Sequence, residues 1–146
     1  MTTFETTDPT PIIDRYVAMW NEPDPQARDR TIGELWSRDC VHVLQAPQEM
    51  RDAARAIGFP RMTLDVRGHD ELSFRVGRAQ HEFVTEGGYR FRSRGDGARL
   101  GSIVKFHWEM VPAGGDGGEE IAAVGLDVLE LDADGRILTD YQFIEA

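Results

Sequence analysis

A single cysteine, Cys40, leaves this chain unable to form an internal disulfide and without a CxxC redox or zinc motif. The histidines are as sparse: His42, His69, His81 and His107 show neither HxH nor HExxH spacing, so no metal is expected. No cofactor is expected either. The glycine pairs at 87–88, 114–115 and 117–118 stand between strand-like segments, where they make turns rather than phosphate cradles. Ser37, Ser73, Ser93 and Ser102 lack a nucleophile-elbow context. No apolar run reaches membrane-spanning length. The opening MTTFETTDPTP lacks the basic and apolar regions of a secretory signal, and a cytoplasmic location is the expectation.

Positive charge is also short. Sixteen basic residues face 26 acidic ones, a formal net charge of -10, which repels phosphate backbones and anionic membrane surfaces. Arg90, Arg92 and Arg94 alternate with Tyr89, Phe91 and Ser93, the ordinary pattern of a half-exposed strand rather than a base-stacking face. Neither nucleic acid nor membrane is an expected partner. What is present is ordinary globular composition: 146 residues, 40% hydrophobic and 29% charged, enough for one core without metals or disulfides.

The first ten residues are polar and expected to be flexible, with a single domain over 11–146. Thr10-Pro11 reads as a helix cap and first residue, and Ile12, Ile13, Tyr16, Val17 and Trp20 recur at helical spacing up to Asn21. Asp24-Pro25 opens a second helix with Ile32, Leu35 and Trp36 as its stripe, closed by Ser37-Arg38-Asp39. A strand over Cys40 to Leu44 follows, then a short helix from Pro47 to Ile57 stopped by Gly58 and Pro60. Met62 to Val66 alternates as a strand. The next helix takes Asp70 as its cap and Leu72, Val76, Ala79 and Phe83 as its buried face. Beyond Gly87-Gly88 the period becomes two, giving strands at Tyr89–Arg94, Leu100–Val111, Ile121–Leu131 and Ile137–Ile144. Their glycine- and aspartate-rich connectors, including 114–118, are hairpin chemistry, so an antiparallel meander is expected in an α+β domain.

Four blocks carry a resemblance. They are Arg15-Tyr16-Val17-Ala18-Met19-Trp20-Asn21, Glu34-Leu35-Trp36-Ser37-Arg38-Asp39-Cys40-Val41, Val104-Lys105-Phe106-His107-Trp108, and Gly125-Leu126-Asp127-Val128-Leu129-Glu130-Leu131 with Gly135-Arg136-Ile137. With the order of elements, they make the chain from Pro11 to Ile144 resemble the nuclear transport factor 2 superfamily, which includes ketosteroid isomerases and SnoaL-like polyketide cyclases. The resemblance implies a cone-shaped half-barrel of curved antiparallel sheet on about three helices. It implies a small-molecule enzyme acting on a hydrophobic carbonyl compound through an enolate, or a non-catalytic binding module or structural dimer of the same fold. The chain departs from the pattern over 45–61, where an extra helical segment stands. Tyr16 and Asp127 match the isomerase pair that hydrogen-bonds the substrate carbonyl. Leu44 stands where the isomerase base would be and cannot take a proton, which argues against a ketosteroid isomerase.

The residues themselves allow more than one reading. Strand parity puts Val104, Phe106, Trp108 and Met110 together on the face toward the helices and the cavity, and groups Gly125, Asp127, Leu129 and Leu131 on one face of the next strand. Asp127 is thus an acid on an apolar strand: neutral by desolvation and a donor to an enolate oxygen, ionised and a base, or a structural group paired with an arginine. Tyr16 is a second donor or plain core. His42 shares its face with Cys40 and Leu44, as a replacement base or a satisfied core histidine. Trp20, Trp36, Phe106 and Trp108 form an apolar ligand wall or simple packing; Asp140 and Gln142 share a face of the last strand, and the resemblance implies that this face meets the cavity. The outer face at Leu126 and Val128 is more apolar than an exposed sheet needs, so a homodimer is expected.

Overall fold

Local capping chemistry sets the first two helices. In the computed structural model, which describes residues 8–114 and 120–145, the Asp8 carboxylate accepts from the Thr10 N–H and hydroxyl at the start of α1 (Thr10–Asn21). Asp24 caps α2 (Pro25–Leu35) by accepting from the Gln26 N–H, with Pro25 as first residue. The expected flexible terminus falls largely on residues outside the described ones, as does the connector from 115 to 118.

The remaining elements are β1 (Trp36–Gln45), α3 (Gln48–Ala56), β2 (Thr63–Arg67), α4 (Gly68–Ala79) with a π-helical continuation Gln80–Glu86, β3 (Tyr89–Ser93), β4 (Ala98–Leu100), β5 (Ile103–Pro112), β6 (Ala123–Leu131) and β7 (Ile137–Ile144). They form one seven-stranded sheet in the order β2-β1-β7-β6-β5-β3, with β4 also on β5. The meander β3-β5-β6-β7 is antiparallel as expected. The last strand then lies parallel to β1, which closes the order and places β7 inside the sheet. Helices α1, α2 and α4 bury side chains against the inner face, whereas α3 buries none. The α+β half-barrel on three packed helices is therefore the fold.

Four boundaries differ from expectation. Trp36 does not belong to the α2 stripe: it is extended, fully buried and paired with Ile137, so strand pairing overrides the helical spacing there. The run Leu100 to Val111 is two strands, because Gly101, at φ +58, turns the chain and lets Ala98 pair with Lys105. Helix α4 starts at Gly68 rather than at Asp70, with the Glu71 carboxylate reaching back to the Arg67 N–H. Phe83 is not core but 37% exposed, and Ile121 precedes β6. Arg92 and Arg94 do not form a basic face, since both bind Glu109 across β3 and β5.

Because α3 has no buried residue, its opening uncovers almost no apolar surface. Amide hydrogen exchange should be faster throughout 48–56 than in β5, β6 and β7 by two orders of magnitude or more. Protection of α3 equal to that of those strands would contradict this.

Candidate functional site

Two helical turns into α1, the Tyr16 side chain points onto the inner face of the sheet. Its hydroxyl lies 2.7 Å from Asp127 Oδ2 and 2.5 Å from Asp140 Oδ2. Trp108 donates its Nε1–H to Asp127 Oδ1 at 2.6 Å. Both carboxyl groups have no exposed surface. Register explains the convergence: Asp127 and Asp140 stand on neighbouring strands of one face, with Gln142 opposite Asp127 and Leu129 opposite Asp140.

The proton count follows from this geometry. A phenol has one proton and cannot donate to two carboxylates. Burial, and then the charge of Asp127, holds the Asp140 carboxyl well above its usual range; burial also raises Asp127, while its hydrogen bonds work in the opposite sense. Asp140 is accordingly the protonated member. Asp127 is the acceptor, receiving Trp108 and Tyr16. Burial, and then the two acids, pushes the Tyr16 hydroxyl far up, so it stays a phenol.

Next to the acids, His42 is fully buried, and burial lowers its pKa to about 4. A guanidinium can only donate, so the Arg75 Nη1 contact at 3.1 Å makes His42 Nδ1 an acceptor. The ring proton therefore sits on Nε2 and goes to Gln142 Oε1 at 2.6 Å, with Asp140 Oδ2 at 3.6 Å. Arg75 Nη1 also donates to the Leu64 carbonyl at 2.8 Å.

In front of this layer lies an apolar cavity of about 400 Å³. Tyr16, Trp20, His42, Trp108 and Gln142 line it. Asp127, Asp140 and Phe106 do not; they stand one layer behind, Phe106 beneath the Tyr16 ring with centroids 5.3 Å apart. The structure thus joins Tyr16, Asp127, Asp140, His42 and Gln142 into one network whose front half meets the cavity. Gln45 and Pro47, from the segment that departs from the family pattern, also line it, as do Arg75, Leu64 and Phe91, which were not singled out from the sequence as site residues. Arg75 sits three residues from Leu72 and one from Val76, so its place on the inner side of α4 was legible in helical spacing.

Among the described residues, one cluster has metal-ligand spacing: one ligand atom each from His42, Asp127 and Asp140, all within 4.8 Å of one another. Here His42 bonds Gln142 and Arg75, Asp127 bonds Tyr16 and Trp108, Asp140 meets Tyr16 through Oδ2, and the buried Asp140 Oδ1 has no hydrogen-bond partner among the described residues. Gly125 completes the arrangement, since a Cβ there would run into the Trp108 indole that lies across it. Only a bare backbone lets that indole reach Asp127.

Asp140 keeps its proton above pH 3.8, the value at which an unfolded aspartate loses it. Across that window the folded chain binds one proton more than the unfolded one. Stability therefore falls with rising pH by up to about 1.4 kcal/mol per unit. Asparagine carries its donor permanently. Asp140→Asn should match the parent in melting temperature near pH 4 and exceed it at pH 7. Calorimetry showing an equal loss at every pH would contradict the shared proton.

No protein-family model matches the sequence, and no curated protein matches it. Solved structures do. A SnoaL-like family protein of Agrobacterium tumefaciens superposes with a TM-score of 0.72 at 24% identity, over 94% of this chain and 97% of that one. A nuclear transport factor 2-like protein of unknown function from Mesorhizobium loti gives 0.62 at 18% identity, over 96% of each chain. A candidate SnoaL-like polyketide cyclase from Jannaschia gives 0.57 at 11% identity, over 99% of this chain and 90% of that one. With the sheet order and the helices on its inner face, these likenesses establish that the chain has the SnoaL-like, nuclear transport factor 2-like fold.

Proposed function

We propose that the protein binds a hydrophobic carbonyl compound in the inner cavity and transfers protons on it through an enolate, as an isomerase or cyclase would. The observation that carries this reading is the Tyr16 phenol, which lines the cavity while touching both buried acids. A ligand oxygen that gains negative charge can take the Tyr16 hydrogen bond from Asp127, which keeps the Trp108 indole N–H, while the Asp140 acid donates to the phenol from behind. The enolate is thereby stabilised without placing a charged acid in the cavity. The proton lost from carbon would go to His42 Nδ1 once Arg75 moves off it, and return from there to a second carbon. A neutral imidazole is the form that can accept it. Two fold neighbours, named as a candidate isomerase and a candidate polyketide cyclase, are in keeping with such chemistry.

Binding without turnover is the second reading. It is favoured by the Arg75 contact that occupies His42 Nδ1, and by Leu44 in the wall where an acid would serve as base.

2-Tetralone, a compact apolar ketone with acidic α-protons, separates the two. Deuterium exchange at its C1 methylene, followed by NMR, should run faster with protein than in buffer. Tyr16→Phe should lower that acceleration tenfold or more while changing the dissociation constant far less. Binding with exchange at the buffer rate would support the binding module. Absence of binding would remove both readings.

The outer sheet face is proposed to pair two copies of the chain. Tyr141 and Phe143 are 44% and 43% exposed there and neighbour Val128 and Leu126 across the β6–β7 ladder. Sedimentation should show a dimer at micromolar concentration, and Phe143→Asp should yield folded monomers. A monomeric parent protein would overturn this.

A further inference from the structure

The hydrogen-bonding character of the cavity wall is one-sided. The Gln45 Oε1 accepts the Ile144 N–H at 2.9 Å, and the Gln142 Oε1 accepts from His42, which leaves both amide NH2 groups as donors. His42 Nδ1 is taken by Arg75. Trp20 lines the cavity with 9% exposure, and its indole N–H has no acceptor. Arg75 uses one nitrogen, Nη1, for both of its contacts, and no carboxylate lies within ion-pair distance of it among the described residues. Its Nε and Nη2 edge, the fork that fits a carboxylate, makes no hydrogen bond there. No aspartate or glutamate is among the described residues lining the cavity, and Arg75 is the sole permanently charged one.

A wall of donors with one fixed cation suits a ligand that only accepts and carries one negative charge. We propose that the cavity takes apolar carboxylic acids, with the carboxylate on the Nε and Nη2 edge of Arg75 and the hydrocarbon body against the aromatic wall of Trp20, Phe91 and Trp108. The assignment rests on the cavity being a ligand site, as in the preceding reading, and adds the ligand's class. Asp65 and Glu71 act on Arg75 from outside the cavity lining and offset part of its charge, so a monocarboxylate suits it better than a dianionic phosphate ester in an apolar cavity of about 400 Å³.

Naphthalene-2-acetate and its primary amide share one apolar body and differ in charge, and titration calorimetry at pH 7 compares them. The parent protein should bind the acid at least tenfold more tightly than the amide. Arg75→Gln should abolish that preference, acid affinity falling at least tenfold more than amide affinity, and Arg75→Lys should restore part of it. The amide serves as the folding control in each variant. Equal binding of acid and amide by the parent, or an acid preference that survives Arg75→Gln, would overturn the acid assignment and leave the cavity reading standing. If neither compound binds, both fall.

Discussion

One proton shared within a sealed pair of carboxyl groups constrains most of this structure. Asp127 and Asp140 are wholly buried beside each other, and two adjacent negative charges in such a place would be prohibitive. The pair is tolerable only if one acid stays protonated and the other is surrounded by donors. Tyr16 must then arrive from α1 at the right depth, and Trp108 must lie flat across Gly125 to deliver its indole N–H. Each requirement fixes an element: the pitch of α1 against the sheet, the register of β6 with β7, and a bare backbone on β6. The polar layer thereby ties residues more than a hundred positions apart.

The division into two layers gives the site its chemical character. Carboxyl groups behind the wall hold charge and a proton away from solvent, and the wall itself shows aromatic rings and hydrogen-bond donors to the cavity. Tyr16 and His42 are the points of exchange, because each lines the cavity and touches or neighbours an acid. Buried polar groups of this kind are expensive in stability, and they are commonly retained where a site uses them.

Much of this could be read from the chain alone, for reasons that differ between residues. Helical spacing put Tyr16 on the inner side of α1, and two-residue alternation put Asp127, Asp140, Gln142 and His42 on the inner face of their strands. Neither pattern carries strand register, so the meeting of Asp127 with Asp140 was invisible, as was the parallel pairing of β1 with β7. Arg75 was missed because an arginine on an amphipathic helix ordinarily turns outward, and its inward turn depends on His42 and the Leu64 carbonyl being there. Trp36 and Gly101 show the same limit in smaller form. A pairing partner decided one, and a left-handed turn decided the other.

The position of β7 bears on how the molecule assembles. The strand formed by Ile137–Ile144 comes last of the seven strands yet lies between β1 and β6, so the two halves of the sheet join only through it. The helices and the β5–β6 hairpin can collapse early. The sheet, the acid pair and the cavity floor wait for β7 to dock. Such long-range closure gives a high contact order and a slow last step. It also means that a chain lacking β7 loses Asp140 and Gln142 together with the seam.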